Sequence, residues 1–117
     1  MYKSLRFFLL ISFCIIRTGP LYSQLPNFSQ AEGFGSDTPG GRGGKILKVT
    51  NLNDRGPGSL RSALSDTVPR IIIFSTGGII NLETPLFINS PFVTIAGQTA
   101  PGGGICLRGN GIKINTH

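Results

Sequence analysis

The chain has 117 residues, 39% of them hydrophobic, with 17 Gly and 8 Pro, which fits at most one small, turn-rich domain. Only 14% of residues are charged, well below the roughly 25% usual for globular domains, which excludes a charge-rich disordered chain. One His, 2 Cys and no Trp leave little material for a metal cluster or a disulfide framework.

Residues 1–23 read as a secretory signal peptide. Lys3 and Arg6 form a positive start, and Phe7 to Ile16 is an uncharged apolar run. Thr18-Gly19-Pro20 breaks that run, and Ser23 is a small residue at which cleavage can occur before Gln24. At 1.5 Å per residue, ten apolar residues fall short of a bilayer core about 30 Å thick, so no permanent membrane span is expected. Half of the formal +6 charge leaves with Lys3, Arg6 and Arg17, and the remainder is no nucleic-acid signature. Cys14 leaves too, so Cys106 stands alone and reads as a small buried hydrophobe on a strand.

Residues 24–58 form a glycine-rich lead with one strand. The clusters Ala31-Glu32-Gly33-Phe34-Gly35 and Pro39-Gly40-Gly41-Arg42-Gly43-Gly44 must be loop, with backbone packed closely on backbone. They are not a phosphate-binding loop, because Gly44-Lys45 is followed by Ile46 and the first glycine position holds Pro39. Nor are they a dinucleotide fingerprint, since no strand precedes Gly33. Lys45 to Leu52 carries apolar residues in the strand sense, and Asn53 to Gly58 is a turn cluster. Arg42 is expected to bond loop to loop.

Residues 59–68 predict a short helix. Ser59 is a suitable N-cap, Leu60, Ala63 and Leu64 share one face, and Pro69 ends the element. About two turns cannot stand alone, so the apolar face must lie on something else.

Residues 70–117 are strand after strand: Ile71–Phe74, Ile79–Leu82, Leu86–Ile88, Val93–Ala96, Ile105–Arg108 and Ile112–Asn115. Each is short, β-branched and bounded by Gly, Pro, Asn or Ser. Taken in threes, Ile71 maps onto Val93, Ile79 onto Ile105 and Leu86 onto Ile112, a period in the low-to-mid twenties. Three strands per such period suit a right-handed parallel β-helix, a solenoid rising about 4.8 Å per coil. A small β-sandwich remains the alternative on spacing alone. In the solenoid frame, the helix of residues 59–68 becomes the lid over the first coil.

Three stretches resemble a known family. Ala31 to Gly44 and Thr94-Ile95-Ala96-Gly97-Gln98-Thr99-Ala100-Pro101-Gly102-Gly103-Gly104-Ile105 resemble the N-terminal portion of secreted bacterial pectate lyases of the polysaccharide lyase family 1 type. Thr50 to Leu64 resembles the capping-helix motif of exported β-helix proteins, some of them non-enzymatic. The resemblance implies an all-β, right-handed parallel β-helix, exported and monomeric, whose full-length members cleave pectate by calcium-assisted β-elimination. In such enzymes calcium, held by Asp and Glu, neutralises the uronate carboxylate, and an Arg removes the adjacent proton.

The site itself does not carry over. The family's calcium-binding and catalytic residues lie in later coils, beginning near a motif resembling Trp-Ile-Asp-His, and this chain has no Trp. Its acids, Glu32, Asp37, Asp54, Asp66 and Glu83, lie singly along the chain. Arg108 reads as a solvated strand end that could touch a uronate, and His117 has no partner. The expectation is therefore an inactive stretch with no catalytic, cofactor-binding or metal-ligating residue. It belongs either to a lyase or to a non-catalytic surface or carbohydrate-binding β-helix protein. An unstable product is also expected, because the last coil leaves a bare strand edge and an open apolar end.

Overall fold

The computed structural model describes residues 32–116. The leader read over residues 1–23 and the terminal His117 lie outside them. Among the described residues, seven strands, one short α-helix and one 3-10 turn follow in the order β1 (Lys45–Val49), α1 (Leu60–Leu64), β2 (Arg70–Phe74), β3 (Gly78–Asn81), β4 (Leu86–Ile88), β5 (Val93–Ala96), the 3-10 turn (Gly97–Thr99), β6 (Ile105–Arg108) and β7 (Ile112–Ile114). The molecule is all-β in character, and its strand pairs are all parallel.

From β2 onward, successive strands are dealt to three sheets in rotation. β1, β2 and β5 form the first sheet, β3 and β6 the second, and β4 and β7 the third. Parallel neighbours need a long connection between them; between β1 and β2 it contains α1, and thereafter it contains the strands of the other two sheets. One circuit of the chain is β2–β3–β4, and the next is β5–β6–β7.

Register departs from the sequence mapping by one residue in two sheets. Arg70, not Ile71, lies opposite Val93, and Gly78, not Ile79, lies opposite Ile105, while Leu86 opposes Ile112 as mapped. The reason is the period of two along a strand: a slip of one residue would turn every inward side chain outward. The observed register stacks Ile72 on Ile95 and Ile80 on Leu107. Val49, Ile72, Phe74, Ile80, Leu82, Leu86 and Ile88 make the buried core together with Leu60 and Leu64 of the helix.

The helix is shorter than expected. Ser59 caps it, with Oγ accepting from the Ser62 N–H at 3.2 Å and donating to the Gly56 carbonyl at 2.7 Å. It stops at Leu64 because Asp66 takes over the next stretch, its Oδ1 accepting from the Val68 N–H at 3.2 Å. Such a side-chain turn competes with helix continuation, and Pro69 then keeps Val68 out of helical geometry. Leu60 and Leu64 face inward, and the helix packs on β1 and β4.

The glycine lead runs against the start of β2. A Cβ on Gly41 would collide with the Arg70 carbonyl, and one on Gly44 with the Pro69 carbonyl. The Gly41 N–H donates to Thr94 Oγ1 at 2.9 Å, and the Lys45 N–H donates to the Pro69 carbonyl at 2.9 Å. Only residues without a side chain allow the lead to follow the sheet this closely.

Candidate functional site

The carboxylates are spread out. Glu32 and Asp37 are exposed in the lead, and Glu83 is exposed between β3 and β4. Asp54 lies in the turn before α1, and Asp66 just after it. Among the described residues, no group of three His, Cys, Asp or Glu side chains comes together to hold a metal ion.

Asp54 is already occupied by cations. Its Oδ1 accepts from Arg61 Nη2, and Arg55 Nε stands 3.4 Å from its Oδ2. Arg61 also reaches across to the loop before β4, donating to the Pro85 carbonyl at 2.9 Å and the Thr84 carbonyl at 2.8 Å. Arg55 Nη2 donates to Thr84 Oγ1 at 3.1 Å. A guanidinium offers a fixed fork of donors, which suits one side chain to several acceptors. The result is a clamp that fastens the turn and helix onto the β3–β4 connection.

Asp66 serves the same end of the molecule. The Val68 N–H bonded to its carboxylate holds it below the ordinary carboxylate range, helped by the positive charge of Lys45 and opposed by partial burial. Lys45 Nζ lies 3.7 Å away.

Arg70 is fully buried, a position that sequence reasoning missed. Its Nη1 donates to the Val68 carbonyl at 3.2 Å and its Nη2 to the Leu64 carbonyl at 3.0 Å, while Nε has no partner. Helix carbonyls at a C-terminus lack partners within the helix, and a cation there is favourable. Arg70 thus holds the end of α1 and is not presented to solvent. Arg42, weighed as a loop-bonding residue, is exposed in the lead.

The outward faces of the second and third sheets carry the remaining polar groups. On β3 and β6, Ile79 stands beside Cys106 and Asn81 beside Arg108. Arg108 Nε donates to Asn81 Oδ1 at 2.7 Å. On β4 and β7, Phe87 stands beside Lys113, whose Nζ is 5.8 Å from the ring centroid. The next pair along is Asn89 and Asn115, joined by a 3.0 Å amide hydrogen bond.

Cys106 corrects the sequence reading. It is exposed, not a buried hydrophobe, because the register pairs it with outward Ile79 while Leu107 faces in opposite Ile80. It borders a shallow trough of about 450 Å³ whose walls are largely Gly77, Gly78 and Gly102–Gly104. A second hollow, about 420 Å³ and more apolar, opens where the lead meets Ile88, Phe92, Ile95 and Ile114. Among the described residues, no helix is long and apolar enough to cross a membrane.

No protein-family model matches the chain. Curated relatives do. Over 84 residues the chain is 57% identical to a probable pectate lyase C of Emericella nidulans, covering 72% of this chain and 20% of that protein. It is 49% identical over 104 residues to a probable pectate lyase C of Neosartorya fischeri, covering 80% of this chain and 24% of the relative. A probable pectate lyase 5 of Arabidopsis thaliana is 41% identical over 85 residues, 66% of this chain and 21% of its own length. The chain thus spans about a fifth to a quarter of the length of these curated relatives.

Proposed function

We propose that this pectate lyase-like chain, which matches a fragment of its longer relatives, forms the cap and first two circuits of a right-handed parallel β-helix. The whole protein, on this reading, is an exported lyase that cleaves pectate by calcium-assisted β-elimination. The observation that carries it is 57% identity to a probable pectate lyase across 72% of the chain. The rotation of strands among three parallel sheets supports the solenoid, because further circuits can stack on β5, β6 and β7 in the same way.

The described residues do not fit a calcium site. A hard cation needs six to eight oxygen ligands, whereas the acids here lie apart and Asp54 is taken up by Arg55 and Arg61. No chemical step is therefore assigned to this stretch. Its own residues do something else: Ser59, Arg61 and Arg70 secure a lid over the first circuit, a platform on which later circuits can be held in line. Residues 1–23 act as the export leader in this reading, so the mature N-terminus should be Gln24.

Two measurements test it. Coding sequence beyond His117 should place Asp or Glu on consecutive strands of one sheet with an Arg facing them. Their absence would overturn the lyase and favour a non-catalytic carbohydrate-binding protein. The 117-residue chain alone should release no unsaturated oligogalacturonides from polygalacturonate with calcium, and calcium-dependent release would refute the assignment of chemistry to later circuits.

A further inference from the structure

The lead passes the strands in the reverse of their stacking order. Where it ends, Gly44 lies against the Pro69 carbonyl at the start of β2, and the Lys45 N–H bonds that same carbonyl. Three residues earlier, Gly41 touches the Arg70 carbonyl and donates to Thr94 Oγ1 on β5 at 2.9 Å. Earlier still, Thr38, Pro39 and Gly40 border the apolar hollow of about 420 Å³ together with Phe92, Ile95, Ile114 and Thr116. Thr94 pairs with Ile71 while Ile95 pairs with buried Ile72, so this path follows the outer face of the first sheet. The lead descends the stack that the strands then climb. Continued in the same direction, the path carries residues 32–37 past the second circuit.

Phe34 lies on that continuation. Its side chain is fully exposed, yet it stands in a closed turn. The Ser36 N–H donates to the Gly33 carbonyl at 3.1 Å, and the Thr38 N–H to the Gly35 carbonyl at 3.1 Å. A single exposed ring needs no explanation by itself; its place does. The hollow beside it is half-built. Thr116 is on its rim, so the chain that continues past His117 starts from there. Phe92, also on the rim, is held at φ 59°, in the left-handed region where a bulky residue is strained. Its carbonyl accepts from the Arg70 N–H at 3.0 Å, which ties that turn to the first circuit.

We propose that residues 32–41 are a strap laid along the outside of the stack, and that its Phe34 turn anchors the third circuit, formed by the chain immediately after His117. The occupant is this chain's own next circuit, because residues 114–116 end at the hollow and the curated relatives are several times longer than this chain. The inference rests on the solenoid reading above. It adds that the N-terminal lead, and not only strand-to-strand pairing, fastens successive circuits together. The contact closes a long loop, and the entropy of closure grows only slowly with loop length.

The test uses the full-length protein, expressed from the coding sequence that continues past His117. Phe34→Ala should lower its Tm by about 3–5 °C, and Phe34→Leu should recover most of that shift. Hydrogen exchange should speed up about tenfold in the turn and strand that follow His117, with α1 and β1 unchanged. Thr94→Val removes the acceptor of the Gly41 N–H, so Phe34→Ala should cost less in that background than in the parent. The strap is overturned if Phe34→Ala leaves the melt and exchange as they were, if it loosens residues 32–44 alone, or if the two substitutions act additively. Protected strand amides after His117 that ignore Phe34 would sink the strap and leave the solenoid standing. Absence of any protected strand there would sink both.

Discussion

The two circuits have the same kind of sequence and different environments. Leu86 is 0% exposed, while Ile112, its partner one strand along, is 40% exposed; Ile88 is 5% exposed and Ile114 68%. The first circuit is covered on one side by β1 and by Leu60 and Leu64 of α1, and on the other by the second circuit. The second has a neighbour on one side only, and β5, β6 and β7 each present an unpaired edge among the described residues. In a stacked architecture, burial belongs to the position in the stack and not to the residue. The guarded end also shows two lysines on its outer strand β1, Lys45 and Lys48, a usual defence of an exposed edge. β5 carries no charge at all.

Paired substitutions sharpen this contrast. Leu86→Ala should cost about 2–5 kcal/mol, the range for opening a cavity in a packed core. Ile112→Ala should cost less than about 1 kcal/mol. Urea unfolding of the two variants measures the difference, and equal losses would break the comparison. Next in size is Arg70→Ala, which leaves the Leu64 and Val68 carbonyls without their buried donor. It should cost about 2–3 kcal/mol by the same measurement, whereas Lys113→Ala should change stability by under about 0.5 kcal/mol.

Ser59→Ala should cost about 1 kcal/mol, the usual loss of a helix N-cap. Hydrogen exchange at the Ser62 amide, which Ser59 Oγ accepts, should speed up with it. The smallest effect concerns acid. The folded-state pKa of Asp66 is depressed, so its stabilisation is complete above the ordinary carboxylate range and lost as pH falls through the folded value. Asp66→Asn should flatten the decline in urea midpoint as pH falls through and below the ordinary carboxylate range.

Much of the fold was legible beforehand. β-Branched triplets set off by Gly, Pro and Asn located all six later strands to within a residue at each end, because such side chains suit a pleated surface and the breakers do not. The helix start was legible too, from Ser59 ahead of Leu60, Ala63 and Leu64. Its end was not: Asp66 bonds Val68 in preference to continuing the helix, and that competition has no periodicity to read. Arg70 was equally hidden. An arginine beside a proline reads as surface, and it is buried here because the end of α1 and the segment after it turn the Leu64 and Val68 carbonyls toward it. Cys106 was misplaced by the same cause that shifted the register, since one residue of slip exchanges the two faces of a strand.

By itself, then, the sequence determined the strands, the start of the short helix and the family resemblance, since these rest on local conformational preference and on runs of residues in order. The tertiary structure alone decided which side chains face inward, which charges pair and which apolar residues stay wet. Those outcomes depend on a neighbour one whole circuit away along the chain, and the local pattern of Ile, Leu and Val is nearly the same in both circuits.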